Sequence, residues 1–311
     1  MIQKLFRCLT HSTFVVCAVA LMSAAAFAQY PVGQSSIGDM KPGSVLFFSR
    51  YTSNPVNPAM GDTQINITNV NQSSGINVHL FLVDGASCSI ADSFVGLTQN
   101  QTASFLVSDF DPGITGYIVA VATGGGGPTQ FNSLIGSEFI RENNGITAYL
   151  QAMTVAKRSA GDVLPDGEGQ TILKFDGVDY EQLPSALAVA TFNSQTVDSN
   201  YLSIFSPSNN LIIGGVVNTS VFTLLYNDAE VAISSSFTVS CYRYESFLSL
   251  FNRGGGINRH VPSGRTGWIR MTASGRPILG SVFGKGPVFV GGHNLHALQL
   301  LGSYSIVVPF F

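Results

Sequence analysis

Short apolar runs and polar, turn-forming clusters alternate along most of the chain, and this pattern predicts β-strands. The runs are 4–8 residues long and rich in Val, Ile, Phe, Tyr and Thr, and clusters of Gly, Asn, Asp, Ser and Pro separate them. In residues 64–70 polar and apolar positions alternate with a period of two, which is typical of a sheet with one face in water. The first group of predicted strands comprises residues 45–48, 64–70, 78–83, 102–107, 117–122 and 134–140.

The pattern breaks over residues 157–169, where charged residues, Gly and Pro predict a linker or a long loop. Residues 147–156 are ambiguous, because their Ala, Leu, Gln and Met also suit a helix. Short strands at a spacing of about 8–12 residues indicate an all-β sandwich or barrel. The second group of predicted strands comprises residues 171–175, 187–192, 201–205, 211–217, 222–226, 237–242, 268–272, 278–283 and 303–308.

One short stretch occurs twice in the chain. Residues 113–118 read GITGYI and residues 264–269 read GRTGWI, at an offset of 264 − 113 = 151. Each copy leads into an apolar run, so its first glycine predicts a tight turn and its second a bulge or a close backbone approach. Tyr117 and Trp268 then begin strands, and we expect both aromatic side chains to lie in a core.

Other blocks return in the same order at similar offsets, which indicates two homologous β domains. We therefore predict a first β-sandwich domain at residues 43–160, a linker at 161–169 and a second β-sandwich domain at 170–311. The matched blocks are residues 134–139 with 278–283, 81–94 with 224–237, and 65–69 with 202–206, at offsets of 144, 143 and 137.

Two short motifs resemble those of the immunoglobulin-like β-sandwich modules of exported bacterial proteins. They are a strand that ends in Ile67-Thr68-Asn69 and the turn Pro112-Gly113 before a late strand. Neither domain has the Cys…Trp…Cys spacing of antibody domains. The resemblance implies an all-β tandem of two similar immunoglobulin-like sandwich domains with a binding or scaffolding role. It carries over no catalytic residue.

The start of the chain has the features of a cleaved signal peptide, which we predict at residues 1–28. Lys4 and Arg7 form a basic start, residues 13–22 are apolar, and a small-x-small cleavage signal follows. The apolar run is too short to span a membrane, which takes about 20 residues. After a flexible lead-in at residues 29–42, we expect an exported protein without a transmembrane helix, located outside the cell, at the cell surface or in the periplasm.

Composition narrows the range of partners. Without Lys4 and Arg7 the mature chain has 15 − 2 = 13 basic and 18 acidic residues, a net charge near −5. This balance argues against nucleic acid, which binds basic surfaces. Charged residues make up only 11% of the chain, against about 25% in an average protein. We therefore expect a polar surface of low charge, which suits exported or assembled proteins.

Candidate catalytic and metal-binding residues are few. The chain has no Gly-x-Ser-x-Gly elbow, and His79 lies in a strand pattern where we expect a structural or surface role. His293 and His296 could share a metal ion only if they faced the same side, and the neighbouring glycines favour a loop. We predict no catalytic residue, no metal site and no cofactor, and hence a non-enzymatic protein.

Acidic and glycine-rich clusters have turn formation as their favoured interpretation. Asp109-Phe110-Asp111 and residues 176–179 offer oxygen ligands for calcium, but neither completes a calcium loop. The glycine clusters 124–127 and 254–256 lack the Lys-Ser/Thr of a phosphate loop and are predicted to be flexible hairpin tips.

Cys88 and Cys241 are the cysteines that remain after signal removal. Mapped through the repeat, each domain holds one half of a possible cross-hairpin bridge, so we expect no disulfide within a domain. A bridge between domains or between chains is one alternative, and two free thiols with Cys241 buried is the other.

Together these features favour an exported, non-enzymatic β-sandwich protein with a structural, adhesive or binding role at the cell surface or outside the cell. Its expected partners are other surface proteins, glycans or further copies of itself, through edge strands. A secreted carbohydrate-binding or hydrolytic protein on the same scaffold is one alternative. An outer-membrane β-barrel, suggested by the alternating strands and the terminal Phe311, is another.

Overall fold

The computed structural model describes residues 37–54, 56–57, 59–196, 198–252, 256–287 and 289–310, which belong to one compact unit. The predicted signal peptide at residues 1–28 lies outside the described residues. So do residues 29–36 of the predicted lead-in, part of the glycine cluster 254–256, and Phe311.

The described residues form 21 strands and little helix, which confirms the predicted all-β class. The helical parts are a 3₁₀ turn at Val107–Asp109 and single helical turns at Phe247–Leu250 and Ile257–His260. The strands up to residue 155 are β1 (Val45–Thr52), β2 (Asp62–Asn69), β3 (Ile76–Asp84), β4 (Ile90–Leu97), β5 (Thr102–Leu106), β6 (Thr115–Gly124), β7 (Gly127–Pro128), β8 (Leu134–Arg141), β9 (Thr147–Gln151) and β10 (Met153–Val155). The later strands are β11 (Gln170–Lys174), β12 (Pro184–Asn193), β13 (Ser199–Phe205), β14 (Asn218–Asn227), β15 (Ala232–Ser240), β16 (Tyr242–Ser246), β17 (Thr266–Ala273), β18 (Leu279–Lys285), β19 (Val290–Asn294), β20 (His296–Leu300) and β21 (Ser305–Pro309).

These strands form four main sheets and a two-stranded ribbon. Sheet I has the order β10-β1-β6-β3-β4, with β7 paired to β6, and sheet II has the order β5-β2-β8-β9. Sheet III has the order β20-β12-β17-β14-β15, and sheet IV has the order β16-β13-β18-β19. The ribbon pairs β11 with β21.

The later strands repeat the topology of the earlier ones. When β1–β6 are matched with β12–β17 and β8–β10 with β18–β20, sheet III has the order of sheet I and sheet IV that of sheet II. A bulge also recurs: the pairing of β1 with β6 shifts between Phe48 and Tyr51, and that of β12 with β17 shifts between Val189 and Phe192. The sequence blocks matched above all fall on equivalent strands, so the repeat in sequence corresponds to a repeat in topology.

Each pair of sheets encloses a hydrophobic core. Sheets I and II share a cluster of buried side chains that includes Phe48 and Ile67. Sheets III and IV share another, which includes Val189 and Ile204. Alternation along the strands directs these side chains inward, because successive residues of a strand point to opposite faces.

A further core covers the other face of sheet I. The ribbon contributes Leu173 from β11 and Val308 from β21, Phe175 follows directly after β11, and sheet I contributes Phe47 and Val119. The ring centroids of Phe47 and Phe175 are 6.2 Å apart. Because β11 and β21 belong to the chain segment that follows residue 169, this core joins the two halves of the sequence.

The strand order differs from that of an immunoglobulin domain. There the consecutive strands A and B share one sheet, whereas here β1 and β2 lie in different sheets, as do β2 and β3 and also β5 and β6. Strand patterns in the sequence could not reveal which sheet each strand joins, and the expectation of two free-standing immunoglobulin-like sandwiches is corrected on this point. The four main sheets correspond in number to the blades of a four-bladed β-propeller. The strands of each sheet, however, are not consecutive in the chain.

Most predicted strands are present, and the exceptions have local causes. Residues 211–217 are not a strand, because two glycines in this segment adopt positive φ and turn the chain. Residues 237–242 are interrupted at Cys241, whose φ of 68° separates β15 from β16. The ambiguous residues 147–156 form the two short strands β9 and β10.

The stretch that occurs twice has the predicted local roles. Gly113 and Gly264 have φ values of 86° and 78°, which favour glycine in both turns. A Cβ added at Gly116 would lie 1.8 Å from a carbonyl oxygen of β3, and one added at Gly267 would lie 2.7 Å from a carbonyl oxygen of β14. The second glycine of each stretch therefore permits a close backbone approach.

A buried disulfide connects the two halves of the chain. Cys88 lies between β3 and β4, Cys241 lies between β15 and β16, and their Cα atoms are 6.0 Å apart. This separation is usual for a disulfide. Of the alternatives that the sequence left open, the structure thus shows the bridge between the two predicted domains.

Candidate binding surface

Sheet III packs one face on sheet IV and leaves the other largely open to solvent. Along β14 and β17, buried positions alternate with more exposed ones. The outward positions carry Phe222, Leu224 and Tyr226 on β14 and Trp268, Arg270 and Thr272 on β17. These six residues are called the open face below.

Two aromatic side chains of the open face stack on each other. Tyr226 and Trp268 are register partners, and their ring centroids are 4.6 Å apart with an interplanar angle of 7°. Trp268 is 37% exposed, whereas Tyr117, at the equivalent position of the repeat, is fully buried and stacks on Phe205. The predicted core position is confirmed for Tyr117 and wrong for Trp268, because the ribbon covers sheet I and does not extend over sheet III.

Arg270 is the charged residue of the open face. Its register partners are Leu224 on β14 and Ala188 on β12, neither of which offers a side-chain acceptor. Within the part of the chain that the structure describes, the Arg270 guanidinium makes no hydrogen bond or ion pair. Asp228, just after β14, is already paired with Arg265, just before β17, at 2.7 Å between Oδ2 and Nε. The guanidinium of Arg270 is thus partly buried and free to accept an anionic partner.

Hydroxyl side chains border the open face on the β15 side. Ser234 and Ser236 are exposed and pair in register with Leu224 and Phe222. Hydroxyls both donate and accept hydrogen bonds, so this border suits a polar ligand. The arrangement combines an aromatic stack, an unpaired guanidinium and hydroxyl groups on one rigid sheet.

A second polar feature is buried where β1 and β8 approach sheet IV. Arg50 donates from Nε to Oε1 of Glu142 at 2.7 Å and from Nη1 to the Tyr242 hydroxyl at 2.5 Å. Its guanidinium lies 3.6 Å from the ring centroid of Tyr244, whose hydroxyl donates to Oε2 of Glu142 at 2.9 Å. Burial raises the pKa of Tyr244, so that this phenol stays protonated. Arg50 thus has a carboxylate, a phenol and an aromatic ring as partners, and the cluster stabilises the contact between the halves.

Glu138 lies beside this cluster and is fully buried. Its Oε1 accepts hydrogen bonds from the Ser49 hydroxyl at 2.8 Å and the Ser49 backbone N–H at 3.3 Å. Burial raises the pKa of the Glu138 carboxyl to about 8. The Ser49 hydroxyl also lies 2.8 Å from that of Ser281 in sheet IV. The sequence signal for this buried carboxyl is an acidic residue inside an apolar strand, a pattern that belongs to no motif.

A polar cleft of about 430 Å³ opens beside Arg50 and Glu142. Ser53 and Asn144 also line it, and Asn144 borders a neighbouring cleft of about 490 Å³. Because Arg50 and Glu142 neutralise each other, the ionised groups here are already satisfied. The cleft is therefore a weaker candidate site than the open face.

The histidines singled out by sequence have separate structural settings. His79 lies between the rings of Phe81 and Phe94, with both ring centroids 4.0 Å away, and its Nε2 is 2.9 Å from Oδ2 of Asp92. Burial lowers the pKa of His79. The structural or surface role expected for this residue stays a prediction.

The pair His293 and His296 lies on strands rather than in the expected loop. His293 belongs to β19 and His296 begins β20, and their ring centroids are 6.5 Å apart. No group of three His, Cys, Asp or Glu residues within the described ranges is arranged to hold a metal ion.

The acidic and glycine clusters mostly form turns. Oδ1 of Asp176 accepts hydrogen bonds from the backbone N–H groups of Val178 and Asp179 at 2.8 Å each, which confirms the predicted turn. Asp111 accepts a hydrogen bond from the Tyr51 hydroxyl at 2.6 Å instead. Residues 124–127 connect β6 to β7 in a hairpin, as predicted.

Comparison with known proteins adds no assignment to these features. A scan against protein-family models found no match, and a search of curated proteins found no relative. Within the described residues, the structure contains no helix with the length and apolar character needed to cross a membrane.

Proposed function

We propose that this protein is exported and acts without catalysis, in adhesion or assembly outside the cell, by binding a partner on the open face of sheet III. The observation that carries the proposal is the Trp268–Tyr226 stack beside the unpaired Arg270. Trp, Tyr and Arg are the residue types that dominate binding energy at interfaces. Their location on a hydrogen-bonded sheet keeps the ordering cost of binding low.

Several features support the exported setting of this proposal. Residues 1–28 have the composition of a signal peptide, although they lie outside the described residues. The disulfide between Cys88 and Cys241 fits an oxidising compartment, where such bonds persist. A chain with 11% charged residues also fits a protein that associates densely outside the cell.

The scaffold fits the duplication of one β-sandwich unit. Each set of strands, β1–β10 and β12–β20, forms two sheets around one core, and we take both as descendants of one duplicated β-sandwich unit. In the first copy the ribbon of β11 and β21 occupies the outer sheet face. In the second copy the equivalent face is available to a partner.

Binding assays with labelled protein test this function directly. We expect the purified protein to bind intact cells, extracellular matrix or a glycan array, and Trp268→Ala to reduce the signal about tenfold, as is usual for the loss of a central aromatic. Tyr149→Ala is the matched control, because Tyr149 is a more exposed aromatic on sheet II, 58% exposed. A protein that stays strictly monomeric and binds none of these surfaces contradicts the proposal.

Export is tested separately by fractionating the cells that produce the protein. We expect the chain in the periplasm, on the surface or in the medium, with its N-terminus near residue 29. A full-length chain that stays in the cytoplasm contradicts this part of the proposal, whatever the binding assay gives.

A further inference from the structure

We propose that the ligand of the open face is a carbohydrate that carries an anionic group, with a sugar ring against Trp268 and the anion on Arg270. This inference rests on the proposed binding function and names the chemical class of its ligand. Four observations lead to it: the unpaired charge, the aromatic stack, the hydroxyl border and the contrast with sheet I.

The charge of Arg270 calls for an anionic group. Arg50, Arg243 and Arg265 each form an ion pair with a carboxylate. Arg270 is partly buried between apolar register partners and has no acceptor among the described residues. The guanidinium binds carboxylate, sulfate or phosphate oxygens through paired hydrogen bonds. The open face itself has no carboxylate that could compete for Arg270.

The aromatic stack calls for a flat, partly apolar surface on the ligand. Trp268 and Tyr226 stack on each other, and Trp268 remains 37% exposed. The C–H face of a sugar ring packs well on an aromatic side chain, because the face of the aromatic ring is electrostatically negative. Trp268 and Arg270 are two residues apart on one strand, hence roughly 7 Å along it. A single acidic sugar unit or two adjoining units can span that distance.

The border of the open face favours a sugar over a peptide. Ser234 and Ser236 lie beside Leu224 and Phe222, and Thr272 is the register partner of Phe222 on the open face itself. Further along the strands from the stack, the hydroxyl groups of these residues match the hydroxyl groups of a sugar. Protein partners anchor their side chains in well-packed pockets, whereas these residues stand on the face of an antiparallel sheet. A nucleic acid binds to a patch or stripe of basic residues, whereas Arg270 is the one basic residue among the six of the open face.

The contrast with sheet I excludes a second apolar ribbon as the occupant. Val119 and Val121 of the covered face correspond to Arg270 and Thr272 of the open face, since each pair occupies the same register in β6 and β17. A ribbon like that of β11 and β21 would bury Arg270 without a partner, which is strongly unfavourable. A hydrated, anionic ligand pairs with the charge of Arg270 and forms hydrogen bonds with the hydroxyl of Thr272.

Polysaccharides of matched backbone test the inference with the purified protein. The anionic probes are polygalacturonate and dextran sulfate, and the uncharged counterparts are methyl-esterified polygalacturonate and dextran. We expect at least one anionic probe to bind about tenfold or more tightly than its counterpart, because a hydrogen bond to a charged group contributes that much. We expect this preference to weaken at high salt.

Variants assign the preference to single side chains. Arg270→Gln should remove the preference for the anionic probe, Arg270→Lys should keep part of it, and Trp268→Ala should weaken binding of both members of a pair. Arg259→Gln is the matched control, because Arg259 is an exposed arginine elsewhere in the same half. Circular dichroism of each variant should match that of the wild-type protein, which separates loss of binding from loss of folding.

Each other outcome has a definite meaning. Equal binding of charged and uncharged probes, or a preference that survives Arg270→Gln, overturns the inference. Tighter binding of poly-L-glutamate than of any polysaccharide means that the partner is an acidic protein. Binding to cells or matrix without binding to any polysaccharide overturns the inference and leaves the proposed function standing. Binding to none of these overturns both.

Discussion

The outer faces of sheets I and III occupy equivalent positions in a repeated topology, yet one is buried and the other is open. In sheet I the register pairs Val83–Tyr117 and Phe81–Val119 lie in a hydrophobic core under the ribbon. In sheet III the same positions hold Tyr226–Trp268 and Leu224–Arg270, with solvent outside. The strand order is the same, so the side chains on this face and the ribbon above it make the difference.

The two sheets share apolar inner faces but differ in their outer faces. The inner faces of both sheets are apolar, because each copy needs its own core. The outer faces were free to diverge, since only one of them is covered by β11 and β21. The same substitution should therefore lower the free energy of unfolding much more on the covered face of sheet I than on the open face of sheet III.

The largest expected effect is the loss of ribbon packing in Phe175→Ala. Phe175 is fully buried against Phe47 and Tyr180, and truncation of a buried Phe lowers the free energy of unfolding by about 3–5 kcal/mol. Phe222→Ala on the open face, where the side chain is 47% exposed, should lower it by less than about 1 kcal/mol. Urea unfolding followed by fluorescence measures both variants.

Similar losses for Phe175→Ala and Phe222→Ala would break the comparison, since they would mean that the open face is also buried in solution. In that case, size-exclusion chromatography should reveal an oligomer that covers it. A small loss for both variants would mean that the ribbon contributes little to the core of sheet I.

A second difference between the copies concerns Glu138, whose counterpart in the repeat is Val282. Val282 lies in the core of sheets III and IV, whereas Glu138 is a fully buried carboxyl with a pKa raised to about 8. The folded state therefore binds this proton more tightly than the unfolded chain, where a Glu has a pKa of about 4.3. The contribution of Glu138 to the free energy of unfolding is highest below the unfolded-state pKa, and it falls as the pH rises towards 8, by roughly 1.4 kcal/mol per pH unit.

Glu138→Gln removes this titration and keeps the shape of the side chain. We expect the fall in stability between pH 5 and pH 8 to be smaller in the variant, so that the variant is the more stable protein at pH 8. Urea unfolding at several pH values measures the difference, and Glu168→Gln, an exposed site, is the control. Parallel pH profiles for Glu138→Gln and wild type would mean that Glu138 is ionised in the folded protein.

The two close-approach glycines allow the copies to be compared at an equivalent backbone position. A methyl group at Gly116 would lie 1.8 Å from the Val83 carbonyl oxygen, and one at Gly267 would lie 2.7 Å from that of Tyr226. We expect Gly116→Ala to cost about 3 kcal/mol and Gly267→Ala about 1 kcal/mol, within the range for overpacking. Thermal unfolding of both variants checks the order, and a larger effect at Gly267 would contradict it.

The sequence predicted the strands and the repeat well, because both depend on local pattern. Apolar patterns placed most strands but missed β4, β7, β19 and β20. The GITGYI and GRTGWI stretches marked equivalent turns through Gly113 and Gly264. The strand expected at residues 211–217 was wrong because apolar composition outweighed its two glycines. Sheet membership could not be predicted, since it depends on contacts between distant strands.

The candidate surface was harder to predict for the same reason. Trp268 opens a strand as Tyr117 does, and local pattern cannot tell a covered face from an open one. The available signal was in the facing positions, where Val119 and Val121 give way to Arg270 and Thr272. Arg270 lies in mid-strand where the other copy has Val119, and this difference indicates a solvent-exposed sheet face.

The smallest expected change in stability comes from giving the open face the residues of the covered one. In Arg270→Val with Thr272→Val, each new side chain matches Val119 or Val121, and the substituted positions are partly exposed on a face without packing above it. The free energy of unfolding should change by less than about 0.5 kcal/mol. The apolar patch then extends from Trp268 along β17, and such patches promote association. We expect concentration-dependent dimers in analytical ultracentrifugation, while Thr238→Val on the exposed side of β15 stays monomeric at the same concentrations. A double variant that remains monomeric would mean that the geometry of the open face, and not only its unpaired arginine, keeps a second sheet from packing on it.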